Sequence, residues 1–506
     1  MRDSASEAAR VHPGRAEPYD LAVIGAGPAG LAGAVTAAEL GLSVALLDSS
    51  AQPGGQYYRH PEAALGATRP EALHHDWSAF ADLRRRLDAS AVSHLTRHHV
   101  WTVVRADDAE GEELWAVHAV TGGDEDGDEE RPVRVRARTV LLATGTYERH
   151  LPFPGWTLPG VVAAGGAQAM LKSGLVLPGG RVVVAGSGPL LLAVAASLAS
   201  AGARVPAVVE ASGYLAYARG PGTLLANPHK LLEGATHGAA LLRHRVRPFV
   251  RSAVTRVHGT DRVEAVTVSR LDREWRPLPG TDRRIECDAL AVGHGLVPQL
   301  ELATGLGCAT RRTPDGTHAL VLNALQGTSV PGIHAAGEAG GVGGAQLAYT
   351  EGEMAGIAIA ARLLGRPALL GGPRVRELRS RRRRLRAFAD VMARAHAPGE
   401  GWTRWLDDAT DVCRCEEVTA GSVREAVDDY GARDARTVKL LTRAGMGWCQ
   451  GRVCGTAVAC LAANAAGARQ QPSPERRPLS VPVPLGVLAA VDAQDEEPSR
   501  AEGGRA

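Results

Sequence analysis

The densest chemistry in this chain sits near its C-terminal end, in Cys413-Arg414-Cys415 and Cys449-Gln450-Gly451-Arg452-Val453-Cys454. Thiolates are soft ligands, and four of them spaced C-x-C…C-x4-C can hold either zinc or an iron–sulfur cluster. Structural zinc sites more often use C-x-x-C knuckles. Gly445, Gly447, Gly451 and Gly455 surround the second pair and leave backbone N–H groups free to bond cluster sulfurs. The stretches from Thr419 and from Thr437 read as the intervening helices. Cys460 falls in an Ala-rich helix and reads as packing. Seven cysteines so unevenly placed in 506 residues do not make a disulfide scaffold.

A second chemistry is written in glycines. Gly25-Ala26-Gly27-Pro28-Ala29-Gly30 follows an apolar run and opens an Ala/Leu-rich one. In a G-x-G-x-x-G turn, Gly25 allows the tight bend, Gly27 the approach of a pyrophosphate and Gly30 the packing of helix on strand. The helix N-terminus then offers N–H groups to the phosphates. Asp48 ends the next strand, where a carboxylate accepts hydrogen bonds from a ribose. The turn recurs at Gly186-Ser187-Gly188, with Leu191 where the third glycine belongs and Glu210 at the end of the following strand. No basic residue follows Glu210 at once, which favours NAD over NADP. A structural domain, or one holding another adenine nucleotide, is the plainer alternative there.

These turns need a strand before them and a helix after them. Leu21–Ile24, Pro28–Leu40 and Ser43–Leu47 make one such unit; Val182–Ala185, Leu190–Ala201 and Pro206–Val209 make the other. The order predicts parallel sheets and a doubled α/β architecture. Val133–Ala143 alternates Val with Arg before turning fully apolar, as a half-exposed strand entering a core does. The acidic tip Gly122–Glu130 reads as a solvated loop. Arg374–Arg386 carries eight arginines, read as a solvated helix or linker, with a docking surface as the sharper alternative. Basic residues number 57 against 55 acidic, a net charge of +2, so no global field points to nucleic acid. The N-terminus lacks an apolar signal region, and glycines break the long apolar run at 182–203. The chain is therefore expected to be cytoplasmic, with no membrane span.

Beyond these patterns, the residues after Asp48, reaching Gly55-Gln56, resemble the acidic-then-GGQ stretch of flavoproteins with two dinucleotide-binding domains. Thr144-Gly145 resembles their ATG strand end. Gly337-Glu338 resembles the late segment whose acidic residue meets the ribityl chain, though that residue is usually Asp, and Gln346 would lie near the isoalloxazine. The resemblance implies FAD. Disulfide reductases of this architecture carry a Cys pair beside the flavin. Here Cys287 and Cys308 stand alone, which argues against that chemistry.

The stretch Ala143 to Gly160 with Arg149 and Trp156, the segment Val292 to Pro298, and the cysteine pattern together resemble one family. It comprises the FAD-containing α-type subunits of opine oxidase, hydrogen cyanide synthase and hydroxyproline or proline dehydrogenases. The cysteine region is similar to the bacterioferritin-associated-ferredoxin-like [2Fe-2S] domain. The resemblance implies a glutathione-reductase-like α/β fold of two Rossmann-type domains plus a small helical [2Fe-2S] domain. It also implies three companions: a partner in the form of a D-amino-acid-oxidase-like FAD subunit, a small ferredoxin-like subunit, and an FMN at the interface between chains. On this reading residues 1–17 are disordered and 18–160 with 288–370 bind FAD. The second nucleotide domain is 161–287, 371–408 is an Arg-rich helical linker, 409–466 holds the cluster, and 467–506 is a disordered tail. The function implied is electron transfer within an amine dehydrogenase. A self-sufficient NAD(P)H:acceptor reductase and a nucleotide-binding scaffold are the alternatives. No acid–base pair for deprotonating an amine is visible; His294, His334 and Glu148 are candidates by position only.

Overall fold

Burial on both faces explains the short apolar strands. Tyr19–Ile24 lies between Val44–Leu47 and Arg131–Leu142 in parallel register, Val23 standing beside Leu46 and Leu141. The computed structural model describes residues 17–74, 76–107, 111, 113–122, 129–214, 217, 220–465, 477 and 479–496. The expectation for residues 1–16, and that for 123–128 of the acidic tip, lie outside the described residues. The full strand order of this first sheet is Ser93–Leu95, Val44–Leu47, Tyr19–Ile24, Arg131–Leu142, Glu113–Thr121, His99–Asp107, with Ile333–Ala335 also pairing with Arg131–Leu142. That long strand behaves as its pattern predicts. Val135 and Ala137 are buried while Arg134 and Arg138 face solvent, and from Thr139 onward every residue is buried.

The second sheet is all parallel, in the order Arg247–Val250, Ala207–Glu210, Val182–Gly186, Ala289–Gly293, Val161–Ala163. The run at 182–203 is thus a strand and a helix, Leu190–Ser200. Among the described residues no helix is long and apolar enough to cross a membrane. The sequence pattern does not anticipate the three-stranded antiparallel sheet Ser252–His258, Ala265–Arg270, Arg283–Glu286 beside this unit.

The arginine-rich segment is a helix, Pro373–Ala395, but it is not simply solvated. Val375, Leu378, Leu385 and Ala389 are buried, and three arginines reach back to carboxylates of the helix Ala345–Leu363. Arg382 and Arg386 meet Glu351 at 2.9 and 2.7 Å, and Arg374 meets Glu353 at 2.6 Å. A charge run hides such long-range partners.

The cysteine region folds as a two-strand hairpin, Asp411–Cys413 with Val418–Thr419, and three helices, Ala420–Asp428, Ala435–Thr442 and Gly455–Ala465. Thr419 and Asp434 cap the first two helices through their side-chain oxygens. The region shares a core with the second unit. Trp275 and Trp405 stack with ring centroids 6.1 Å apart, Trp405 Nε1 donates to the Trp275 carbonyl, and Trp156 Nε1 donates to the Asp411 carbonyl at 2.7 Å. The tail differs in part from the expected disorder. Residues 479–496 are placed, with a helix at Leu485–Glu496, because Val481 and Val487 bury and Ser480 donates to the Trp101 carbonyl.

Candidate functional site

Three backbone bonds carry the ladder past the C-terminal ends of the first sheet. Gly25 N donates to Leu47 O, Ala143 N to Ile24 O, and Ala336 N to Leu142 O. They bring the segments beginning at Gly25, Asp48, Thr144 and Gly337 to one edge, the place where open α/β sheets bind ligands. Asp48 Oδ2 accepts from Ala26 N at 2.5 Å and Oδ1 from Ser50 N at 2.7 Å, so the carboxylate braces the turn it faces. Helix Pro28–Glu39 has no side-chain cap, which leaves its first N–H groups to an anion. A Cβ on Gly27 would meet only the Gly55 Cα, at 4.0 Å, while one on Gly30 would lie 1.7 Å from the Gly25 carbonyl oxygen. Gln52 Oε1, in the loop above, is buried without a partner among the described residues. An open turn, uncapped amides and an orphaned acceptor fit a dinucleotide.

Other expected residues are placed less simply. Thr144 Oγ1 donates to Gln299 O, Gly145 O accepts from Gln299 N, and Gln346 lies in the first turn of its helix. Gln56 is exposed. Glu338 accepts from Gly343 N and Gly344 N at 2.7 and 3.0 Å. It braces the loop entering that helix, as Asp48 braces its own turn. Gly337 N instead donates to Glu351, a residue that no sequence motif singles out. The turn makes one expectation sharp: Gly30→Ala should cost at least about 2–3 kcal/mol, because the clash is with backbone. Flavin absorbance retained after desalting should fall in step.

The second turn repeats the first in its bonds. Glu210 Oε2 accepts from Gly188 N at 3.0 Å and Oε1 from Ser212 N at 2.9 Å. It differs in burial, for Gly186, Ser187 and Gly188 are all buried whereas Gly25 and Gly27 are not.

Of the four cysteines, Cys413 and Cys454 are buried, Cys449 is half-buried and Cys415 exposed. Cys415 is paired with Cys449, and Cys454 with Cys413, as nearest thiols. Gly445 N donates to Cys413 Sγ at 3.5 Å, and a Cβ on Gly447 would meet the Cys415 Cβ at 2.2 Å. Among the described residues no three His, Cys, Asp or Glu side chains converge as the ligand set of one ion. Two thiol pairs, an amide bonded to sulfur and a glycine-lined loop fit a two-iron cluster better than zinc. Beside Cys454 opens a cavity of about 740 Å³ that also takes in Tyr147, Glu301, Arg436 and Lys439.

Of the remaining candidates, Glu148 and His294 are held by structural contacts. Glu148 accepts from Gly165 N and Gly166 N at the start of a helix, and burial raises its pKa. His294 packs against Trp275 and Trp405, and burial pushes its pKa down to about 3. His334 is likewise lowered by burial, to about 4. Burial raises the Cys287 thiol to about 12 and also raises Cys308, so both stay protonated and inert.

Fold and site together define a flavoprotein of two dinucleotide folds with an attached iron–sulfur domain. Residues 19–352 match the pyridine nucleotide-disulphide oxidoreductase family, and residues 412–463 the BFD-like [2Fe-2S] binding domain. The chain belongs to the pyridine nucleotide-disulphide oxidoreductase family. FAD and a [2Fe-2S] cluster are its cofactors. It is 35% identical to the HcnB subunit of hydrogen cyanide synthase from Pseudomonas aeruginosa, over 85% of this chain and 90% of that one. It is 32% identical to an opine oxidase subunit from Agrobacterium tumefaciens, over 87% of this chain and 84% of that one. The crystal structure of L-proline dehydrogenase from P. horikoshii shares the fold, with 21% identity and a TM-score of 0.64 over 93% of this chain and 79% of that chain.

Proposed function

We propose that this chain is the electron-transfer subunit of a heteromeric amine or imino-acid dehydrogenase of the opine, hydroxyproline or glycine type, acting on CH–NH or CH–NH2 donors in the cytoplasm. The observation that carries the reading is the attachment of the cysteine hairpin to the body of the molecule: Trp156, in the flavin unit, donates to the Asp411 carbonyl of the hairpin. The inertness of Cys287 and Cys308 supports it, since it leaves no thiol pair to receive electrons locally. Both of the sequence relatives named above are subunits, which supports a complex.

When bound, the flavin accepts two electrons together and releases them singly, while the cluster takes one at a time. The chain's own residues hold and orient. Gly25, Gly27, Pro28, Ala29 and Gly30 offer backbone to the pyrophosphate, and Asp48 accepts from a ribose. Gly55, Gln56, Thr144, Gly145, Gly337, Glu338 and Gln346 frame the rest. Cys413, Cys415, Cys449 and Cys454 ligate iron. On this reading the flavin unit spans 18–160 with 288–370, the second fold 161–287 and the cluster domain 409–466. The partner is a D-amino-acid-oxidase-like FAD subunit, with a small ferredoxin-like subunit. The cavity beside Cys454, flanked by Arg436 and Lys439, supports an FMN at the interface.

The test is anaerobic spectroscopy of the chain alone and in complex with that partner, challenged with proline, hydroxyproline, glycine, sarcosine and an opine. One of these amines should bleach this chain's flavin in the complex and none should do so in the isolated chain. Bleaching of the isolated chain by an amine, or a complex inert to the whole panel, would overturn the reading.

A further inference from the structure

The two glycine turns are an internal comparison, because they share a fold, a bonding pattern and a carboxylate, and differ in burial. Over the second turn lies the far end of the arginine-rich helix. His396, just past that helix, places Nδ1 3.3 Å from Ser187 Oγ and 3.5 Å from Glu210 Oε1, and its Nε2 2.9 Å from Tyr217 Oη. The Ser187 hydroxyl is within 3.4 Å of the His396 carbonyl oxygen and 2.9 Å of Ser212 Oγ. Glu210 is 2% exposed. The space left before helix Leu190–Ser200 is about 130 Å³, bounded by Gly188, Leu191, Asp390, Ala393 and His396. Ligand pockets ordinarily run to roughly 300–1,000 Å³, so an adenine dinucleotide does not fit.

The arrangement is also electrostatically self-sufficient. A helix N-terminus attracts negative charge, and the C-terminal end of another helix supplies partial negative charge from its free carbonyls. Here the carbonyl end of Pro373–Ala395, with Asp390 on its last turns, stands where a pyrophosphate would. The plug is anchored at a distance by Glu351, which holds Arg382 and Arg386 of the same helix. At the first turn Gly25 and Gly27 are less buried than Gly186 and Gly188.

We propose that this chain excludes nicotinamide dinucleotides by filling the second site with its own arginine-rich helix end and His396, so that NAD(P)H is not its electron donor. His396 is then a specificity-determining residue. The inference rests on this geometry alone and not on the amine dehydrogenase reading, whose test contains no nicotinamide.

The experiment uses the holo chain under anaerobic conditions with NADH at roughly 1 mM, the upper end of ordinary KM values. Flavin absorbance and NADH binding by equilibrium dialysis are followed, with dithionite as the control that the flavin can be reduced. The wild type should show neither bleaching nor saturable binding over minutes, and His396→Gly should gain at least about tenfold in NADH affinity. Bleaching of the wild type within seconds would overturn the proposal, as would a folded His396→Gly chain with no gain. Should that variant not fold, amide exchange of the wild type decides. Exchange at residues 186–191 and 210–212 should be unchanged by NADH, and protection there on adding NADH would overturn the proposal.

Discussion

Cys454→Ser should yield a chain that keeps its flavin and loses its iron. Cys454 is buried against Cys413, with Gly445 close to its sulfur. A serine oxygen is a harder and shorter ligand, poorly matched to iron–sulfur chemistry. Changing a group that merely orients a ligand costs a metal site about 10–100-fold in affinity, and removing a ligand should exceed that. Iron per chain, measured chemically, should fall toward zero, and transfer to a one-electron acceptor should fall by about 100-fold or more. The flavin bands should remain, because the cradle at Gly25 to Asp48 is built by other strands. Cys460→Ser is the matched control, on the following helix and outside the four; it should keep its iron. Iron retained by Cys454→Ser would remove Cys454 from the ligand set. Iron lost with electron flow intact would favour a scaffold over an electron carrier.

Much of this was legible in the sequence because it is local. The strands at Leu21 and Val182, the helices after Pro28 and Leu190, and the carboxylates at Asp48 and Glu210 are separated by short, regular distances that a pattern can display. The caps at Thr419 and Asp434 are equally local. What escaped depends on pairs far apart in the chain. Ser187 meets His396, Trp156 meets Asp411, and Ser480 meets Trp101, and no spacing rule connects such residues. Glu338 is subtler: no spacing rule shows that its carboxylate also accepts from Gly343 N and Gly344 N. The arginine run is a helix as its composition suggests, but composition does not show that a buried partner, Glu351, turns two of its charges into an anchor.

That anchor carries the largest stability effect expected in the chain. Glu351 is fully buried; it receives Arg382 and Arg386 on Oε1, and its Oε2 accepts from Gly337 N at 3.1 Å. Glu351→Gln keeps the shape but removes the charge, leaving two guanidinium groups converging on a neutral amide. Breaking a buried ion pair from one side costs about 3–5 kcal/mol, and urea unfolding followed by far-UV circular dichroism should register a loss of that size. Glu353→Gln is the contrast. Its partner Arg374 has a side chain 47% exposed and can turn to water, so the loss there should be smaller. Equal losses for the two variants would mean that Glu351 is not a buried anchor. The consequence should reach both ends of the molecule, since Glu351 fixes Gly337 at the flavin edge and also tethers the helix whose far end lies on Gly188. Glu351→Gln should therefore release flavin more readily and raise amide exchange at the second turn, two effects that a purely local packing defect would not couple.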